Sequence, residues 1–96
     1  MVLALIKPQF EAGREEAARG AGVIRDPAVH RRVLDEILAF ATESGWGVGG
    51  LVRSPLKGPK GNTEFFVRLT TKARAADRGR LIREAMRAER KADSGL

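Results

Sequence analysis

The chain begins with an unbroken apolar run, Leu3-Ala4-Leu5-Ile6, which stops at Lys7-Pro8. Four consecutive apolar residues predict a strand covered on both faces, the pattern of a central parallel strand. We take the element to span residues 3–10. Proline cannot continue a central ladder, so Lys7 is expected where a core strand surfaces at its carboxyl end. In open α/β sheets that edge is where ligands and chemistry gather.

The second strong pattern follows Asp26-Pro27, a capping side chain with proline at the first helical position. Val29, Val33, Leu34, Ile37, Leu38 and Ala41 recur at helical spacing and predict one apolar stripe on a surface helix. His30, Arg31, Arg32, Asp35 and Glu36 are assigned to the wet side, and Gly45 to a left-handed stop. Between strand and helix, residues 11–25 (EAGREEAARGAGVIR) carry Gly13, Gly20 and Gly22. They read as a mobile loop with at most a short helical turn. It is either a binding loop at the strand's carboxyl end or a solvated linker.

Residues 46–52 (WGVGGLV) are apolar but rich in glycine and form a second strand in this reading. Residues 54–62 (SPLKGPKGN) make a basic, turn-rich connection. Residues 64–71 (EFFVRLTT) alternate, with Phe65, Val67 and Leu69 on one face and Phe66, Arg68 and Thr70 on the other. That is a third strand, and its short connection predicts antiparallel pairing with the second. From Lys72 onward Leu81, Ile82, Ala85 and Met86 form a narrow seam in a strongly basic segment. This tail, residues 72–96, is read as a basic helix that docks on the sheet, stays in solvent or lies on RNA.

The order strand, helix, strand, strand gives an α/β fold class, and it describes the edge of a sheet rather than a complete doubly wound fold. The first strand is left with an unpaired edge, to be covered by a second copy, another chain or a preceding segment.

Composition narrows the function classes. The chain of 96 residues has 43% apolar content, enough for one packed core. It has no cysteine and a single histidine, so neither disulfides nor a thiolate or histidine metal site is expected, and cytoplasmic localisation fits. No apolar run approaches the roughly 18 residues of a membrane span. Eighteen Lys and Arg against 12 Asp and Glu leave a formal charge of +6, which favours an anionic partner, nucleic acid first and acidic lipid second.

Two residues are candidates for chemistry. Because the last strand runs antiparallel, its start lies at the same sheet edge as the carboxyl end of the first. Glu64 is therefore expected beside Lys7, with the carboxylate orienting the ammonium. The competing reading is a surface ion pair contributing about 0–1 kcal/mol. There is no dinucleotide fingerprint, phosphate loop, or Ser/His/Asp or Cys/His set.

Three stretches together, Ile6-Lys7-Pro8-Gln9-Phe10-Glu11-Ala12-Gly13, Val23-Ile24-Arg25-Asp26-Pro27 and residues 54–66 (SPLKGPKGNTEFF), closely resemble the hemolysin TlyA-type branch of the FtsJ-like RNA methyltransferases. The resemblance runs in order over roughly residues 2 to 70. It implies a partial Rossmann-like methyltransferase sheet for residues 1–71, the C-terminal third of a catalytic domain. It also implies S-adenosylmethionine as methyl donor and the ribose 2′-hydroxyl of ribosomal RNA as acceptor. The family's Lys-Asp-Lys-Glu tetrad places its second lysine on Lys7 and its glutamate on Glu64.

Those residue types suit the reaction. A ribose hydroxyl is a poor nucleophile that must be aimed at the sulfonium methyl and relieved of its proton. A desolvated lysine accepts that proton or stabilises the developing alkoxide, and Glu64, by favouring the charged form, tips the balance towards electrostatics and orientation. Lys57 and Lys60 of the basic turn and Arg14, Arg19 and Arg25 of the loop are expected to meet RNA phosphate. The tetrad's first lysine and its aspartate, the glycine-rich cofactor loop and the N-terminal RNA-binding domain have no counterpart in these residues. The chain is therefore expected to be a C-terminal piece of such an enzyme, unable by itself to bind S-adenosylmethionine or turn over. The alternative is a stand-alone basic RNA-binding or interaction module. Membrane lysis, suggested only by the family's historical label, finds no support in the sequence.

Overall fold

A computed structural model describes residues 2–13, 20–71 and 77–94, without the side chains of 88–94. Strand β1 (Val2–Ile6) is followed by a single helical turn α1 (Pro8–Glu11), helix α2 (Pro27–Glu43) and strand β2 (Gly47–Arg53). A 3₁₀ turn (Pro59–Gly61), strand β3 (Phe65–Thr70) and helix α3 (Arg78–Ser94) complete the order.

The sheet order among the described residues is β1-β3-β2. β3 inserts between the other two and runs antiparallel to both, with Ile6 opposite Phe65 on one side and Arg53 opposite Phe65 on the other. β1 and β2 are thus parallel to each other. The strand-helix-strand-strand order and the antiparallel β2–β3 pairing agree with the sequence pattern, and the α/β class stands.

The opening strand differs from expectation. It ends at Ile6, and Pro8 starts α1 instead of prolonging the strand. Proline suits the first turn of a helix, where no intrahelical N–H is needed, and the Lys7 carbonyl accepts from the amides of Phe10 and Glu11 at 2.9 and 3.0 Å. Within this chain β1 is an edge strand beside an antiparallel neighbour, and Val2, Leu3 and Leu5 stay exposed. A shallow apolar cavity of about 300 Å³ lies beside it, lined by Leu5, Ile6, Ile37, Phe40, Trp46 and Leu69 among others.

α2 forms as its sequence dictates. The Asp26 carboxylate accepts from the Ala28 amide at 2.9 Å, Pro27 is the first helical residue, and Gly45 takes the left-handed conformation just beyond the end (φ 93°). Val33, Leu34 and Leu38 are buried against the sheet in one core with Phe65 and Val67. Each such side chain contributes about 1.5–3 kcal/mol of burial.

The sequence pattern puts His30 on the wet face, yet the structure buries it to 1% exposure. Its Nε2 donates to the Ile24 carbonyl at 2.8 Å, and its ring meets Phe65 edge-on with centroids 6.0 Å apart. Its position three and four residues before Val33 and Leu34 continues the apolar stripe by one turn, so the periodicity already held this signal.

α3 docks on the sheet, the first of the three placements open to the basic tail. Ile82, Ala85 and Met86 are buried in the same core as α2 and the strands. The Asp77 carboxylate accepts from the Arg80 amide at 3.0 Å and closes the first turn. Arg78 reaches across to Asp35 of α2 at 3.9 Å.

Candidate active site

The register brings the carboxyl ends of β1 and β2 to the start of β3, so Lys7 and Glu64 both lie at one edge of the sheet. No hydrogen bond or ion pair joins their side chains. Lys7 is half-buried, and its ammonium lies over the Phe10 ring, 5.7 Å from the centroid. Glu64 is 7% exposed, and its Oε2 accepts from Gln9 Nε2 at 2.7 Å. The expected Lys7–Glu64 pair is thus replaced by a Gln9–Glu64 pair. The helical turn at Pro8 explains the exchange: it carries Gln9 under the edge while Lys7, its N-cap, points along the ring of Phe10.

Gln9 belongs to the Lys7-Pro8-Gln9-Phe10 stretch, whose pattern assigns it no role. Its carbonyl Oε1 is buried without a hydrogen-bond partner among the described residues. An amide carbonyl in that state is an acceptor whose desolvation is not yet offset, a cost of about 1–3 kcal/mol. It lies in the same side chain that holds the carboxylate.

Gly58 completes the carboxylate's surroundings. A Cβ added there would overlap the Glu64 Oε2 and Cδ atoms. The basic turn therefore needs a glycine for close approach of backbone to side chain, a requirement independent of backbone dihedral.

The turn is built from local bonds. The Gly58 amide donates to the Asn62 carbonyl at 2.7 Å, and the Ser54 amide donates to the Glu64 carbonyl at 2.8 Å. Lys60 and Gly61 both occupy the left-handed region, at φ 58° and 83°. Asn62, 2% exposed, ties the turn to the loop before α2. Its Oδ1 accepts from the Ile24 amide at 2.9 Å, and its Nδ2 donates to the Gly22 and Pro59 carbonyls at 2.8 and 2.9 Å. Lys60 Nζ adds a bond to the Ala21 carbonyl at 3.1 Å. The part of the loop from residue 20 to 25 is thus fixed to the turn, with Val23 and Ile24 buried.

Of the residues expected to meet RNA, the fold gathers three. Arg25, Lys57 and Lys60 line one cavity of about 260 Å³ together with Ile24, His30 and Thr63. Arg14 and Arg19 lie outside the described residues. Among the described residues no cluster of three His, Cys, Asp or Glu side chains is placed to hold a metal, and no helix is long and apolar enough to cross a membrane.

A model of the FtsJ-like methyltransferases matches residues 1–71. The chain belongs to the FtsJ-like methyltransferase family. Among curated relatives it is 46% identical over 67 residues to the Bacillus subtilis protein named "Putative rRNA methyltransferase YqxC", covering 70% of this chain and 24% of that protein. It is 41% identical over 70 residues to the "16S/23S rRNA (cytidine-2'-O)-methyltransferase TlyA" of Mycobacterium tuberculosis, covering 73% of this chain and 26% of the relative. Among solved structures, "The crystal structure of a putative hemolysin from Lactococcus lactis" superposes with a TM-score of 0.80 at 46% identity. That match covers 94% of this chain and 43% of the other. The chain thus spans about a quarter of the length of these curated relatives. The FtsJ-like match ends near the end of β3, whereas the core of this chain also includes α3.

Within the FtsJ-like fold, S-adenosylmethionine is the family's methyl donor. Among the described residues no glycine-rich turn joins a strand to a helix in a way that would cradle it.

Proposed function

We propose that this chain is the C-terminal part of the catalytic domain of an S-adenosylmethionine-dependent ribosomal RNA ribose 2′-O-methyltransferase. Lys7 and Glu64 are its share of the catalytic tetrad. The observation that carries this reading is their placement at one sheet edge, in an FtsJ-like chain whose relatives are named as rRNA 2′-O-methyltransferases.

In this reading Glu64 is a fixed carboxylate, held by Gln9 and backed by Gly58. Lys7 is the movable partner. Its side chain rests on an exposed aromatic ring, a contact of about 0.5–1 kcal/mol that is readily exchanged. Rotation off Phe10 would carry the ammonium towards the Glu64 carboxylate and the open Gln9 carbonyl, both acceptors. An ammonium held there stabilises negative charge developing on a ribose oxygen and orients it for in-line attack. The methyl donor itself is bound by the longer enzyme, and the isolated chain is not expected to bind it.

The partner is ribosomal RNA, and the setting is the cytoplasm. The free edge of β1 and the apolar cavity beside it are covered by the preceding part of the enzyme, with a homodimer as the alternative. The test is methyl transfer from labelled S-adenosylmethionine to ribosomal RNA by the longer protein that carries this chain. Lys7→Ala and Glu64→Ala should each abolish it while the fold is retained. Full activity in either variant would overturn the assignment.

A second reading, a basic RNA-binding module without catalysis, is favoured by the cavity formed by Arg25, Lys57 and Lys60. It predicts salt-dependent RNA retention by the chain alone, unaffected by Lys7→Ala.

A further inference from the structure

Three cations from two separate segments converge on one cavity. Arg25 comes from the loop before α2, and Lys57 and Lys60 come from the turn between β2 and β3. None is in an ion pair among the described residues. The bonds the two ammonium groups make are to neutral oxygens, Lys57 Nζ to Thr63 Oγ1 at 3.1 Å and Lys60 Nζ to the Ala21 carbonyl at 3.1 Å. The acidic side chains adjacent in sequence are committed elsewhere: Asp26 caps α2 through Ala28, and Glu64 is held by Gln9. Among the described residues no acidic side chain lines the cavity. Like charges gathered without a counter-charge repel one another, and an anion in their midst relieves that repulsion.

The walls are already in place. Asn62 joins the two segments through two hydrogen bonds and braces its own turn through a third, and the buried His30 ring supports the Ile24 carbonyl from behind. A site organised before binding costs little to occupy. Its volume of about 260 Å³ falls just below the ~300–1,000 Å³ of pockets that enclose whole small molecules. That size suits a single tetrahedral anion with its hydration better than a base or a nucleoside.

We propose that this cavity is a preformed subsite for one phosphate group of an RNA backbone, with Arg25, Lys57 and Lys60 as its ligands. The proposal rests on the reading that the chain acts on RNA and deepens it. Instead of a diffuse basic surface, one phosphodiester is held at a fixed point next to Glu64 and sets the register of the strand on the sheet edge. Positioning by phosphate contacts is the usual division of labour in nucleic-acid recognition.

The 96-residue chain itself serves for the test. Inorganic phosphate is titrated into the ¹⁵N-labelled chain at low salt, and a short single-stranded oligoribonucleotide is titrated in parallel across a range of salt. Saturable shifts are expected at amides of residues 22–25 and 57–63 with both probes. The double variant Arg25→Ala/Lys57→Ala removes two exposed cations and should keep the parent's melting temperature. Its RNA affinity should fall about tenfold per cation, and its log–log salt slope should flatten by about two. Arg87→Ala on α3 should keep the parent's slope.

Phosphate shifts elsewhere or nowhere, an unchanged slope in the double variant, or an equal loss in Arg87→Ala would each overturn the subsite. Methyl transfer is measured separately on the longer enzyme. Failure there leaves the phosphate titration standing, and failure of the titration leaves the catalytic reading standing.

Discussion

Gln9 Nε2 donates to Glu64 Oε2 at 2.7 Å, a bond between two buried side chains 55 residues apart in sequence. It joins the turn after β1 to the residue just before β3, the central strand with which β1 pairs. A carboxylate buried to this degree is costly to keep in place unless polar groups receive it. The amide of Gln9 does so without neutralising the charge, which leaves the carboxylate free to act on a cation.

Gln9→Leu should therefore cost about 2–3 kcal/mol in chemical denaturation, because it strands the Glu64 carboxylate in a buried position. Glu64→Gln alone should cost less, since an amide oxygen still accepts from Gln9. A double-mutant cycle with Gln9→Leu/Glu64→Leu should recover part of the loss, with a coupling of at least about 1 kcal/mol. Simple additivity of the two single changes would show that the bond carries no weight.

Gly58→Ala should act through the same carboxylate. The added methyl overlaps Glu64 Oε2 and Cδ, so either the turn or the side chain must shift, at a cost of about 1–3 kcal/mol. The Gln9 side-chain amide resonances should move in the same variant. An unperturbed melting temperature together with unmoved Gln9 resonances would contradict the close approach.

Asn62→Ala removes one acceptor and one donor bond that hold residues 22–24 against the turn, and a second donor bond to Pro59 within the turn. We expect a loss of about 2–3 kcal/mol and a marked rise in hydrogen exchange at the Ile24 amide, which donates to Asn62 Oδ1. Asn62→Asp keeps the acceptor and should protect that amide better than alanine does. Equal exchange in both variants would assign the protection to burial alone.

Lys7→Met should separate chemistry from folding. The described contact of Lys7's ammonium is with the Phe10 ring, and methionine preserves the stem, so unfolding free energy should change by no more than about 0.5 kcal/mol. Methyl transfer by the longer enzyme should nevertheless be lost. Large destabilisation of the chain would mark Lys7 as a structural residue.

Much of this fold can be read from local rules. The cap at Asp26-Pro27, the stripe from Val33 to Ala41, the stop at Gly45 and the alternation of Phe65, Val67 and Leu69 depend on neighbours within a turn or a strand. Those neighbours are written side by side. The placement of Lys7 and Glu64 at one edge also followed, because an antiparallel final strand must begin where the first ends.

The sequence by itself determined the α/β class, the family and the edge at which the candidate site lies. Only the tertiary structure decided which side chain meets Glu64, that His30 turns inward, that β3 slots between β1 and β2, and that three of five candidate RNA cations share a cavity. The reason is range. Helix caps and periodicities are settled by contacts a few residues apart, whereas Gln9 and Glu64, or Asn62 and Ile24, meet only after the sheet has closed. Within residues 6–10, one proline ended the strand early and began a helical turn, and that turn set Gln9, rather than Lys7, against the carboxylate.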